Sequence, residues 1–207
     1  MTDDPTPAAA PRTQTQGAAD AAANPAERAL LARLDALGVA WRRHAHPPLH
    51  TVEQSRALRG VMPGAHTKNL FLKARDGGFW LVSTREDSRF SVNDLGRALG
   101  AGRVSFGAAE DMARLLGVRP GAVTPFALMN DAEGLVRFAL DRRLAEAELV
   151  NFHPLHNEAT LALTPEGLMR FLSDLGRAPL MLDLAPLEAR AAAREAAAGQ
   201  GGDREAD

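Results

Sequence analysis

His66-Thr67-Lys68-Asn69-Leu70-Phe71-Leu72-Lys73-Ala74 is the stretch whose reading decides the fold. Its apolar second half reads as a buried strand, placed over residues 68–74. Asp76-Gly77-Gly78 follows as a hairpin turn, and Phe79-Trp80-Leu81-Val82-Ser83-Thr84 returns as a second strand. Both strands are nearly continuously apolar, which places both at the centre of a sheet. The stretch also sets a cation, Lys68, and an amide, Asn69, where the first strand begins. Successive side chains on a strand point to opposite faces, so the two residues do not automatically share a pocket.

Outward from this hairpin, helix and strand signals interleave. Asn24-Pro25-Ala26-Glu27 combines an N-cap side chain, Pro at the first helical position and Glu three residues on. Leu30, Leu31, Leu34 and Leu37 line one face of that helix, and Gly38 stops it. A strand is expected over residues 39–44, broken by His46-Pro47-Pro48. Thr51-Val52-Glu53-Gln54 opens a second helix. Ser91 caps a third, Arg103 to Phe106 form a short strand, and a helix over 109–116 ends at Gly117. Strands are expected at 126–130, 135–140, 149–152 and 160–163. Thr164-Pro165-Glu166 then starts a helix carrying Leu168, Phe171, Leu172 and Leu175, with a short strand after it at 180–184. The expectation is an α/β fold: a mixed, mostly antiparallel central sheet with helices packed around it.

Composition sets the limits. A chain of 207 residues with 45% apolar content supports one domain with a sizeable core, or two very small ones. The net charge of -2 demands no nucleic acid, although a local basic patch can sit on a neutral protein. The absence of cysteine excludes disulfides, thiolate nucleophiles and Cys-ligated metals. No apolar run approaches the roughly 18 residues of a membrane span, and no secretory signal opens the chain, so a cytoplasmic location is expected. Residues 1–23, rich in Ala, Pro and Thr, read as a disordered tail. Residues 24–186 read as the ordered domain, and 187–207 as a frayed or disordered tail rich in Ala, Arg, Glu and Gly.

The residues that could carry chemistry are few. Six histidines show no metal-ligand spacing, and His153 and His156 flank Pro154, which argues against a shared helix face. No Gly-x-Ser-x-Gly elbow supports a serine nucleophile. What remains is water attack assisted by hydrogen bonds and a cation. Lys68 stands between two readings, a solvated strand-end lysine or a cation awaiting an anionic group or acyl carbonyl. The stretch from Gly117 to Pro125, with two glycines and two prolines, is either a turn or a rigid loop whose backbone N–H groups near Gly121 bind an oxygen. His153, Asn157 and Thr160 fit packed or turn positions as readily as a site.

Taken together, Lys68-Asn69-Leu70-Phe71-Leu72, the Gly121-x-x-x-Pro125 loop, and Phe152-His153-Pro154 with Asn157 and Thr160 resemble the bacterial prolyl-tRNA editing family, the YbaK-type aminoacyl-tRNA deacylases. The length is similar to that of the free-standing subgroup that clears alanine mischarged onto proline tRNA. The resemblance covers about residues 28–184. It implies a mixed α/β fold and hydrolysis of the ester at the tRNA 3′ end, without cofactor or metal. It assigns Lys68, Gly121 and His153 to catalysis, with His153 a candidate general base. It assigns Asn69, Phe71, Pro125, Asn157 and Thr160 to substrate binding. Leu70, Phe71 and Phe126 would set steric limits. Mischarged proline tRNA is the implied partner, with prolyl-tRNA synthetase or an elongation factor beside it. Cysteine and serine stand as alternatives to alanine. The family's last helix usually ends in Gly-His, whereas here it ends Gly176-Arg177. A non-catalytic tRNA or synthetase adaptor of the same fold is the alternative, and a small-ligand regulatory protein a third.

Overall fold

The structure, a computed structural model, describes residues 24–47 and 62–201. Eight strands form one mixed sheet in the order β1-β7-β6-β2-β3-β5-β8, with β4 also on β2. They are β1 (Trp41–Ala45), β2 (Ala65–Ala74), β3 (Phe79–Arg85), β4 (Val104–Phe106), β5 (Val136–Asp141), β6 (Val150–Phe152), β7 (Ala159–Leu163) and β8 (Leu180–Leu182). Four of the pairings are antiparallel (β1·β7, β2·β3, β2·β4, β6·β7) and three are parallel (β2·β6, β3·β5, β5·β8).

Helices cover both faces. On one side lie α1 (Pro25–Ala36), α3 (Ala109–Leu116), a 3-10 turn (Pro125–Asn130) and α5 (Pro165–Asp174), packed with Phe71, Leu81, Phe138 and Leu161 of the strands. On the other lie α2 (Val92–Ala98) and α6 (Ala185–Gly201), which enclose Leu72, Trp80, Val82 and Ala139. A one-turn helix, α4 (Arg142–Ala145), follows β5. Phe126 anchors the larger core, edge-on to Phe152 at 5.9 Å and Phe171 at 5.4 Å between ring centroids. Burying each such ring contributes about 1.5–3 kcal/mol.

The central hairpin forms for the expected reason. Asp76 Oδ1 accepts from the Gly78 N–H at 2.9 Å, and Gly77 takes the positive φ of 90° that the turn requires. β2 begins earlier than the apolar run suggests, because Ala65 and His66 pair with Val150 and Asn151 of β6. Gly64 permits that approach: its φ is +100°, and a Cβ there would lie 2.7 Å from the Leu149 carbonyl oxygen.

Three expectations change. The strand expected at 126–130 is a 3-10 turn. Thr124 caps it by accepting from the Phe126 N–H, and Pro125 occupies its first position, so helix-start chemistry outweighs an apolar run without periodicity. Asn24 caps α1, accepting from the Ala26 and Glu27 N–H groups, but Glu27 does not turn back to the cap. Its carboxylate points inward to Arg43. The chain after residue 186 continues as α6, with Leu187 buried and Arg194 donating to Asp94 at 2.5 Å. The helix expected from Thr51 and the N-terminal tail lie outside the described residues.

Candidate active site

β2 is shared between the two wings of the sheet. Ala65 and His66 pair with β6, and residues 72–74 pair with β4. Between them, residues 67–71 pair only with β3 among the described residues, which leaves one edge of the strand open. The Gly107 N–H closes the far end of this fork by donating to the Phe71 carbonyl at 2.9 Å. Residues 65–70 are all only partly buried, although they sit in the middle of the sheet order.

The pleat sends the two motif residues to opposite faces. Lys68 lies on the face of Leu70 and Leu72, towards α2 and α6. Its Nζ donates to the Ser88 carbonyl and sits 5.2 Å from the Phe90 ring centroid. No carboxylate lies within ion-pair distance of it among the described residues. Burial lowers its pKa below the ordinary lysine value, and Arg89 adds to this. Asp87, Glu188 and Glu86 oppose the shift. Asn69 lies on the other face, where its Oδ1 accepts from Ser83 Oγ at 2.6 Å. Phe71 is taken up by the core, 2% exposed and stacked on Phe79 at 5.4 Å.

His153 and Thr160 share a cleft of about 60 Å³ that reaches β2 at His66 and Thr67, immediately before Lys68. His153 follows β6, and its Nδ1–H donates to the Ala159 carbonyl at 3.0 Å, which leaves Nε2 as an acceptor. Burial holds its pKa below the ordinary histidine value, with His46 and His156 adding to the shift and the Ala159 hydrogen bond opposing it. The Thr160 hydroxyl meets His46 Nε2 at 2.9 Å. Asn151 closes the cleft floor through its Nδ2, which donates to the Pro63 carbonyl at 3.0 Å, while its Oδ1 is buried without a partner among the described residues.

Gly121 and Asn157 meet on their own. Gly121 has a φ of 88°, and a Cβ there would lie 3.9 Å from Asn157 Nδ2. The Ala122 N–H donates to the Arg119 carbonyl at 3.0 Å, closing the turn, whereas the Gly121 N–H has no partner among the described residues. Pro125 is buried as the first residue of the 3-10 turn. Arg177, which stands where the family pattern has histidine, donates to the Asp131 carbonyl and, at 3.1 Å, to its carboxylate. It therefore pins the turn before β5.

The structure adds a buried ionic cluster that the sequence reading missed. Glu27 on α1 is fully buried; it accepts from Arg43 of β1 at 2.7 and 3.3 Å. It also accepts from His156 Nε2–H at 2.9 Å, while the Glu158 N–H donates to His156 Nδ1. This grips the loop of residues 153–158, in which Leu155 holds a φ of +72° that β-carbon-bearing residues rarely adopt. The signal was present: Glu27 stands on the apolar stripe of Leu30, Leu31 and Leu34. Among the described residues no group of three or more His, Asp or Glu could hold a metal ion, and no helix is long and apolar enough to cross a membrane. The three features stand apart: Lys68 faces α2 and α6 beside Ser88 and Phe90, His153 lies in the cleft with Thr160, and Gly121 meets Asn157.

The sequence profile of the aminoacyl-tRNA editing domain matches residues 46–171. The chain is 39% identical over 160 residues to prolyl-tRNA synthetase associated domain-containing protein 1 of Bos taurus, covering 75% of this chain and 93% of that one. It is 29% identical over 152 residues to the prolyl-tRNA editing protein ProX of Acetoanaerobium sticklandii, covering 73% and 93%. A crystal structure of a candidate trans-editing enzyme for prolyl-tRNA synthetase superposes with a TM-score of 0.60 at 20% identity, over 77% of this chain and 96% of that one, and so shares the fold. Relatives thus come from animals and bacteria alike, and the chain belongs to the YbaK-type aminoacyl-tRNA editing domain family.

Proposed function

We propose that the chain is a trans-editing deacylase that hydrolyses the aminoacyl ester of mischarged proline tRNA, with alanine as the amino acid removed. The observation that carries this reading is Lys68: a motif lysine in a partly open fork of the sheet, half-desolvated and without a carboxylate partner among the described residues. Such a cation is poised for an anionic or carbonyl oxygen. In this reading Lys68 holds the terminal nucleotide from its own face of β2, and the Gly121 N–H stabilises the oxyanion. His153, neutral with Nε2 free to accept, takes the proton of the attacking water. An aminoacyl ester is already activated, so no covalent nucleophile is needed.

Editing supplies a discrimination that binding cannot. A pocket shaped for proline excludes a smaller side chain by only about 1–3 kcal/mol per methylene, so a second, smaller site must remove what slips through. The cleft of about 60 Å³ beside His153 suits such a size limit. The name of the ProX relative supports editing of prolyl-tRNA, and those of the animal relatives support an association with prolyl-tRNA synthetase, which we propose as a partner in the cytoplasm. Those same animal names favour a second reading, a synthetase-bound adaptor without hydrolysis. The deciding assay incubates the protein with proline tRNA charged with alanine, cysteine, serine or proline and measures release of the amino acid. Release of alanine alone, lost in Lys68→Ala with the fold intact, is the expected result. No release from any of them, or full activity in Lys68→Ala, overturns the assignment.

A further inference from the structure

A cavity of about 270 Å³ opens on the Lys68 side of β2, away from the His153 cleft. Arg85 at the end of β3 and Asp87, Ser88 and Arg89 of the connection to α2 line it, and α4 adds Arg143. Ser88 joins this cavity to Lys68: its carbonyl accepts from Lys68 Nζ, and its hydroxyl accepts from Arg143 Nη2 at 2.9 Å. The opposite wall is α6, which contributes Glu188 and Glu195.

The guanidinium of Arg143 is held by two carboxylates of different kinds. Asp141 is buried and neighbours it in the chain, accepting at 3.1 and 2.8 Å. Glu188 reaches in from α6, accepting from Nη1 at 3.0 Å and Nη2 at 2.8 Å, and is partly exposed. Arg85 pairs with Asp87, and Arg89 is exposed with no ion-pair partner among the described residues. With the α6 carboxylates in place the cavity is close to neutral. With Glu188 withdrawn it presents three guanidinium groups beside the motif lysine against Asp87, Glu195 and the buried Asp141. A planar guanidinium engages a phosphate with the same two-pronged geometry that it offers a carboxylate.

We propose that this cavity is a phosphodiester site for the single-stranded 3′ end of an RNA substrate, and that Glu188 holds Arg143 in the phosphate's stead until RNA displaces it. The proposal rests on the tRNA-editing reading above and extends it to a second subsite next to Lys68. Only the Glu188 side chain needs to swing away. The helix that carries it stays docked through buried Leu187 and the Arg194–Asp94 pair.

The test measures binding of full-length, uncharged proline tRNA to the intact chain as a function of salt. Arg89→Ala weakens binding about three- to tenfold and reduces the slope of log K against log salt by about 0.7, the share of one single-strand phosphate contact. Glu188→Gln tightens binding by up to about fivefold, the weight of a partly exposed ion pair. Both differences disappear on a tRNA trimmed of its single-stranded CCA end. Unchanged affinity in both variants, equal effects on the trimmed tRNA, or no tRNA binding by the wild type overturns the proposal. Because the ligand is uncharged, the result is independent of hydrolysis. A wild-type protein that shows these binding differences but deacylates nothing refutes the deacylase reading and leaves the subsite standing. Hydrolysis that persists while both variants bind like wild type removes the subsite alone.

Discussion

Replacing Glu27 by glutamine removes one charge and almost no volume. The wild-type carboxylate accepts from Arg43 at 2.7 and 3.3 Å and from His156 at 2.9 Å. The Glu27 side chain is 0% and that of Arg43 6% exposed, so water cannot solvate the guanidinium left behind. Stranding one member of a buried pair costs about 3–5 kcal/mol. For a domain of this size each kcal/mol lowers the midpoint by about 2–4 °C, so Glu27→Gln is expected to melt roughly 6–20 °C below wild type. Urea unfolding followed by circular dichroism measures the same loss as a lower midpoint at an unchanged slope. The companion variant replaces both Glu27 and Arg43 by methionine. With no charge stranded it recovers more than half of the loss, because a buried pair is worth little more than well-packed apolar groups. A cost for Glu27→Gln below about 1 kcal/mol, the range of a solvent-exposed pair, would show that the pair is not electrostatically isolated and refute the reasoning.

Three further outcomes follow from the geometry. Burial holds His153 below 6.5, so as pH falls the unfolded chain takes up its proton before the folded one. Its contribution is nil well above that value and becomes a loss of stability below it. His153→Asn therefore shows a smaller drop in urea midpoint between about pH 8 and about pH 5 than wild type does, and an equal drop contradicts the assignment. Phe126→Ala empties the junction with Phe152 and Phe171 and is expected to cost about 3–5 kcal/mol in chemical denaturation; a loss under about 1.5 kcal/mol would mean that the core refills the space. Gly64→Ala combines a φ of +100° with a 2.7 Å approach to Leu149. It is expected to lose about 1–3 kcal/mol in a thermal melt, and a neutral result would mean that the joint between β2 and β6 yields.

Local chemistry made much of the fold legible. The Asn24, Ser91 and Thr164 caps each hold their helix starts, and the Asp76-Gly77-Gly78 turn forms as its residues dictate. Residues 126–130 carry five largely apolar side chains without a period and so resemble a strand, whereas the preceding Thr124-Pro125 dictates a helical turn. The opposite facing of Lys68 and Asn69 was readable from strand geometry, and the structure shows it. The site beyond that was not readable. Whether Phe71 lines a pocket or fills the core depends on Phe79 and Gly107, which pack against it across strand neighbours. Glu27 was legible as a helix-start residue only, since its true partners stand 16 and 129 positions away. Arg143 and Glu188, 45 positions apart, gave no warning that a tail rich in alanine and arginine would close against the sheet.

The pairing of β1 with β7 sets a clock on the chain as it is made. Trp41 finds its partner in Leu163 and Ala45 in Ala159, so β1 leaves the ribosome more than a hundred residues before β7 exists. At ordinary elongation rates that interval is roughly 5–25 s, long compared with the microseconds in which a hairpin such as β2–β3 can close. Through that wait β1 is an unclaimed edge, open to any passing strand. Its sequence, Trp41-Arg42-Arg43-His44-Ala45, carries two cations at its centre, which mutual repulsion keeps from pairing with a second nascent copy of itself. The arginine that later neutralises Glu27 thus guards the chain before there is a fold to stabilise.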